Sequence, residues 1–338
     1  MTPIRPPAAP LPPARRRAIA AAVLLPLAVV PTWSGEPQLK RLGTDVVVHA
    51  RAWAPKGGWP RRIGRLEPIG AVALTADDPA FGSFSGLALW RGQAILLGDG
   101  GTFVRLAIRG RTLTTLGSGS LPGGPGTGWA KADRDSESLA VDPATGRAWV
   151  GFERANAIFR YAPRFARTES WRAPRAMASW RTNSGAESLA RLPDGRFVAI
   201  AEAGDWARRE WPAVLFSGDP AAPGTRAMRL RYRPPRTVVP SDATALPDGD
   251  LLVVHRRWDG LLNFTVRIAR VPAASIRPGG LMVATEIAHF PPHLLGENAE
   301  GIAVTREGKD TMVWLVTDND GAFYRRTILA KFRLVPDQ

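Results

Sequence analysis

Short apolar runs, each followed by a tight-turn signal and a second apolar run, recur along most of the chain. Ser138–Val141, Ser188–Arg191, Ala243–Leu246 and Gly301–Val304 are the clearest of the first runs. The turns include Asp142-Pro143-Ala144-Thr145-Gly146, Pro193-Asp194-Gly195 and Pro247-Asp248-Gly249. Proline presets φ and glycine supplies φ > 0, so each unit reads as a strand, a turn and a returning strand. Further strands are predicted behind these hairpins, for example Thr102–Ile108 and Asn156–Ala162. Long amphipathic helical stretches are absent.

The hairpins repeat. Five segments align: Ser85–Asp99, Glu137–Glu153, Glu187–Glu202, Ser241–Arg257 and Glu300–Asp318. Taken from Ser85, Glu137, Glu187, Asp242 and Glu300, successive spacings are 52, 50, 55 and 58 residues. About four strands in a period near fifty residues is the signature of a β-propeller blade. A helical solenoid lacks its helices here, and a parallel β-helix needs a shorter period. The pattern predicts an all-β propeller with five readable four-stranded blades. The last repeat ends on Arg326–Leu334 without a fourth strand; a strand around Gly64–Thr75 would complete that blade, close the ring and remove an exposed edge. A sixth blade drawn from residues 40–75 is the alternative.

The first 36 residues do not follow this pattern. A Pro-rich stretch ends in Arg15-Arg16-Arg17 and runs into thirteen apolar residues, Ala18–Val30. That length suits the apolar core of a signal peptide and falls short of the ~20 residues that span a bilayer as a helix. Residues 1–36 are therefore expected to be a signal peptide or an N-terminal anchor, and 37–338 the propeller. Paired arginines point to the twin-arginine route and a periplasmic or other extracytoplasmic location.

Composition narrows the chemistry. The chain of 338 residues has no cysteine, which excludes disulfides and thiolate metal sites. Its net charge of +15 invites a nucleic-acid reading. Only five of the 45 basic residues are lysine, and the arginines are scattered among Pro, Ala and Gly. With no stacking run of aromatic and basic residues, helix-turn-helix spacing or zinc spacing, a solvated basic surface is the expectation, without nucleic acid. No G-x-S-x-G elbow is present, so a conventional serine hydrolase is unsupported. A monomer is expected, with the membrane reached only through an N-terminal anchor.

In a hairpin, the first residue of one strand and the last of the next lie at the same end. That rule pairs Ser85 with Asp99, Glu137 with Glu153, Glu187 with Glu202, Asp242 with Arg256 and Glu300 with Asp318. One mouth of the channel would then carry eight carboxylates and Arg256. Some of these acids must be protonated, paired with arginine or bound to a cation. Oxygen-only ligands favour Ca²⁺ or Mg²⁺. Asp99, Glu137, Glu153, Glu187, Asp242 and Glu300 are the candidate metal ligands for such a cation. Glu202 and Asp318 are candidate catalytic acids or bases, and Arg256 a candidate clamp for an anionic group or a counter-charge to the ring. The competing structural role is that acids at repeat starts tie neighbouring blades by bonding to backbone N–H groups. Departures from the repeat, namely His255-Arg256-Arg257, Glu297-Asn298 and Asp318-Asn319-Asp320, are the stronger functional candidates.

These stretches, from DDPAFGSFSGLAL (Asp77–Leu89) to RRTILAKFRL, resemble the phytase-like family of bacterial exported proteins, described as having esterase-like activity of phytase. The resemblance covers roughly residues 64–335 and keeps the family's order of motifs. It implies a propeller and a Ca²⁺-assisted hydrolysis of small phosphoric or carboxylic esters. By motif it carries over Asp99, Glu137, Glu153, Glu187, Glu202, Asp242, Arg256, Glu300, Asp318 and Asn319. Two stretches depart from it: Gly98-Asp99-Gly100-Gly101 lacks the family's arginine, and Thr317-Asp318-Asn319-Asp320 replaces Ser-Asp-Asp-Asn. A non-catalytic binding propeller with a structural acidic ring, and a lactonase resembling the gluconolactonase group, are the rival readings.

Overall fold

The computed structural model describes residues 38–336, apart from 111, 184, 261 and 262. The leader expected at residues 1–36 lies outside the described residues. Among those described, no helix is long and apolar enough to cross a membrane.

The strands form five antiparallel blades around a central channel. Blade 1 comprises Phe84–Trp90, Gln93–Gly98, Thr102–Arg109 and Thr112–Ser120, and blade 2 comprises Ser136–Val141, Ala148–Phe152, Ala157–Tyr161 and Thr168–Arg172. Blade 3 runs through Ala186–Arg191, Phe197–Ala201, Trp211–Phe216 and Ala227–Arg233. Leu281–Val283, from a later connection, adds to it in parallel as a fifth strand. Blade 4 holds Val239–Ala245, Leu251–Trp258, Phe264–Val271 and Thr285–Phe290. In each blade the first strand is innermost.

Blade 5 joins the two ends of the described chain. Asn298–Glu307, Asp310–Asp318 and Thr327–Leu334 are completed by Leu66–Thr75, with Leu66 opposite Leu334 and Leu74 opposite Thr327. His49–Trp53 adds outside it. Residues 40–75 thus finish the fifth blade, and the ring has five blades rather than six.

The wholly apolar runs follow from burial on both faces. Alternate residues of a strand point to opposite faces of its sheet. In Phe197–Ala201, Val198 and Ile200 pack toward blade 4 whereas Phe197, Ala199 and Ala201 pack toward blade 2. Five apolar clusters fill the five interfaces between blades. At the turns, Gly195 and Gly249 adopt φ of 87° and 92°, a conformation that favours glycine.

Candidate functional site

All five inner strands begin at the same end of the channel, the mouth, and begin with the same irregularity. Pairing with the second strand skips one residue in each: Ser85, Glu137, Glu187, Ser241 and Glu300. A bulge of this kind bends the strand and re-aims the extra side chain. Opposite these bulges, Asp99, Glu153, Glu202, Arg256 and Asp318 stand on or just past the second strands. The backbone N–H groups of Asp99 and Glu153 donate to the Ser83 and Asp135 carbonyls at 2.8 and 2.9 Å. The far end of the channel is different: the inner strands there line a cavity of about 360 Å³ with residues such as Leu89, Val141, Leu192 and Val304.

The bulges correct the alignment of the fourth repeat by one residue. Ser241, not Asp242, is the counterpart of Glu137, Glu187 and Glu300. Ser85 and Ser241 both donate their hydroxyl to a backbone carbonyl of the next blade, Ser136 at 2.6 Å and Ala299 at 2.8 Å. Asp242 is fully buried, and its carboxylate accepts the N–H groups of Ala243 at 2.8 Å and Ile302 at 2.9 Å. It is a tie between blades 4 and 5 rather than a member of the acidic mouth. Gly86 and Gly301 occupy the same register position. A Cβ on Gly301 would lie 2.8 Å from Cβ of Leu87, so the inner strands meet too closely there for most side chains.

Most of the remaining acids fall into three groups. Between blades 2 and 3, Asp135, Glu137 and Glu153 form one triad, and Glu153, Glu187 and Glu202 a second. Within each triad, carboxylate oxygens lie within 4.8 Å of one another. Glu153 belongs to both. Asp135, Glu153 and Glu187 are buried, Glu137 and Glu202 partly so. Burial, then repulsion from Asp135, pushes the Glu153 carboxyl up to about 7. Burial and the charge of Glu187 hold Glu137 well above the ordinary carboxylate range, and burial with the charge of Glu202 does the same to Glu187, against the pull of Arg256.

The second group surrounds Arg256. Its guanidinium donates to Glu202 at 2.8 Å and to the Asn298 side-chain oxygen at 3.2 Å, and it contacts Glu300. The Asn298 amide donates in turn to Glu300 at 2.8 Å and Asp320 at 3.1 Å. Arg256 therefore balances acids from blades 3 and 5. In the third group, between blades 1 and 2, Lys131 bridges Asp99 at 3.0 Å and Asp135 at 2.8 Å, while Arg154 lies 3.2 Å from Asp135. Burial pushes the Asp99 carboxyl up and Lys131 opposes it.

Asp318 stands beside Asp320, whose backbone N–H it accepts at 2.7 Å; burial and that neighbour raise its pKa well above the ordinary value. Asn319 accepts the Ser83 N–H at 2.8 Å and so fastens blade 5 to blade 1. Of the basic cluster that ends the fourth repeat, only Arg256 joins the mouth. His255 is fully buried, paired with the Tyr232 hydroxyl at 2.5 Å and the Arg267 carbonyl at 3.3 Å, and burial pushes its pKa down to about 3. Arg257 pairs with Asp259 at 2.7 Å.

The structure thus gathers Glu137, Glu153, Glu187 and Glu202. It ties Asp99 to Lys131 and Glu300 to Arg256, and it removes Asp242 from the mouth. Sequence reasoning missed Asp135, Lys131 and Arg154. The available signal was an acid or amide two residues before the repeat-start glutamate, as in Asp135-x-Glu137 and Asn298-x-Glu300; it occurs in two repeats of five.

Residues 79–321 match the family model described as Phytase-like, esterase-like activity of phytase. Among curated proteins no relative matches the chain. Among solved structures, the chain is similar to the glutaminyl cyclase of Myxococcus xanthus at 12% identity and a TM-score of 0.44, over 86% of this chain and 98% of that one. It is also similar to the Malassezia sympodialis allergen Mala s 1 at 13% identity and a TM-score of 0.46, over 89% and 96% of the two chains. A structure titled glucose dehydrogenase matches at 12% identity and a TM-score of 0.43, covering 81% of this chain and 99% of the other.

Proposed function

The chain belongs to the phytase-like family, and on that premise we propose that it is an exported hydrolase of small phosphoric or carboxylic esters whose acidic mouth holds a divalent cation. The observation that supports this most is the pair of carboxylate triads sharing Glu153, with Glu187 buried in one of them. Five acids in contact across two blades, with Arg256 and Lys131 engaged at the edges, leave negative charge that protons or a cation must neutralise. An all-oxygen donor set suits Ca²⁺ or Mg²⁺, and Ca²⁺ is the ion proposed. When bound, such an ion polarises an ester and makes a nearby water more acidic.

The chain's own residues would then divide the work. Asp135, Glu137 and Glu153, or Glu153, Glu187 and Glu202, would hold the cation. Arg256 is a positioning residue, because its donors are committed to Glu202, Asn298 and Glu300. Asp318 stands outside both triads and is the proposed proton acceptor or donor at the reacting oxygen.

Metal content of the purified protein, followed by a panel of phosphoric and carboxylic esters with and without chelator, tests the reading. Chelator-sensitive turnover of one ester class is the expected result. A metal-free protein without turnover on either class would leave the family's propeller as a binding module.

A further inference from the structure

The end of the propeller that carries the acids also carries most of its exposed aromatic side chains. Trp129, 70% exposed, stands on the connection between blades 1 and 2, and Trp206, 52% exposed, on the mouth-end loop of blade 3. Trp258, 66% exposed, ends the second strand of blade 4, and Phe323 and Tyr324, 99% and 51% exposed, occupy the corresponding loop of blade 5. Among the described residues the other exposed aromatic is Trp171, which lies on the outer strand of blade 2 and stacks on Phe159 at 5.4 Å. The Pro-Asp-Gly turns at the far end carry none.

Cations lie close to the rim aromatics in sequence. Arg208 and Arg209 follow Trp206, Arg257 precedes Trp258 and Arg326 follows Tyr324; Arg208, Arg257 and Arg326 each also lie within 3.5 Å of an acid, Asp205, Asp259 and Glu297. Leu39 donates its N–H to the Trp129 carbonyl at 2.9 Å, which brings the exposed Lys40 and Arg41 to Trp129. Rings with Arg or Lys beside them suit the headgroup region of a phospholipid bilayer, where tryptophan and tyrosine sit at the interface and cations reach the phosphates.

The course of the chain agrees. Gln38 bridges to Ala130, so the polypeptide enters the propeller at this rim. In sequence, the apolar run Ala18–Val30 ends eight residues before Gln38.

We propose that the mouth-end rim is a membrane-docking surface, with Trp129, Trp206, Trp258, Phe323 and Tyr324 seated among phospholipid headgroups and the channel mouth turned toward the lipid. The exposed Lys40 and Arg41 complement anionic headgroups, while the acids of the two triads stay recessed inside the ring. This orientation does not depend on the hydrolase reading.

The cysteine-free chain allows a direct test on the full-length protein. Phe323→Cys, Trp206→Cys and, at a turn of the opposite end, Asp194→Cys would each carry one environment-sensitive fluorophore. Each is mixed with phosphatidylcholine vesicles, with and without phosphatidylglycerol, some bearing a quencher at the headgroup–acyl boundary. Labels at 206 and 323 should shift to the blue and be quenched roughly twofold or more, with 194 unchanged and the effect larger on anionic vesicles. A second variant set, Trp129→Ser with Phe323→Ser, should lower the quenching of a label at 206. Labels at 206 and 323 that stay in water on vesicle-bound protein, or a chain that ignores vesicles, would overturn the proposal and assign the rim to a soluble ligand.

Discussion

The Asp242 carboxylate reaches across a blade boundary and accepts the N–H of Ile302 at 2.9 Å, while Glu187, its aligned counterpart by sequence, faces other carboxylates. Two acids that spacing alone aligns thus serve different ends, because the bulge makes Ser241 the counterpart of Glu187. Asp242→Ala should destabilise the protein by roughly 1.5–3 kcal/mol, the cost of losing a buried hydrogen bond to a charged group. Thermal melts should show the same loss with and without Ca²⁺. A loss that Ca²⁺ abolishes would place Asp242 in the cation site after all.

Arg256 should matter in the opposite sense. Arg256→Ala leaves Glu202 and Glu300 without their shared partner, which costs about 3–5 kcal/mol by analogy with broken buried ion pairs. The extra negative charge should also tighten Ca²⁺ binding, so added Ca²⁺ should recover part of the lost melting temperature. Calorimetric titration beside the melts checks both.

The pH dependence follows from Glu153. Its folded pKa of about 7 lies above its ordinary value of 4.5, so between those values the folded state binds more protons than the unfolded one. Stability of the cation-free protein should therefore be fully retained below about pH 4.5 as far as this group is concerned, and fall as pH rises toward 7. Glu137 and Glu187, also raised, act in the same direction. A divalent cation replaces those protons, so its stabilising effect should grow over the same window. Denaturant melts across pH 4–8, with chelator and with Ca²⁺, measure both trends.

Much of the fold was legible in the chain because the propeller repeats its chemistry. Pro193-Asp194-Gly195 and Pro247-Asp248-Gly249 announce their turns, and Leu251–Val254 announces burial on both faces. The closing strand was legible too, since Arg326–Leu334 needed a partner and a strand around Gly64–Thr75 could supply it. The site was harder. Spacing alone does not show which residue a bulge skips, so it aligns Asp242 where the structure puts Ser241. Asp135 and Lys131 lie in a connection between blades, where no repeat flags them. Arg256 was visible as the one cation in a ring of acids, but its commitment to Glu202, Asn298 and Glu300 depends on contacts among three blades.

Closure gives a further prediction. Deleting residues 326–338 removes the strand between Leu66–Thr75 and Asp310–Asp318 and reopens an edge in blade 5. The truncated protein should lose its single cooperative melt, followed by circular dichroism. An unchanged curve would refute the shared blade as the source of the ring's stability.

The central claim, that the shared triads hold a divalent cation, is tested most directly by following the melting temperature against Ca²⁺ concentration for the wild type and Glu187→Gln. The wild type should rise in proportion to ln(1 + [L]/Kd), and the variant should keep its fold while losing most of that rise. A wild-type melting temperature indifferent to Ca²⁺, Mg²⁺ and Mn²⁺ would contradict the claim and leave the acids of the mouth to protons alone.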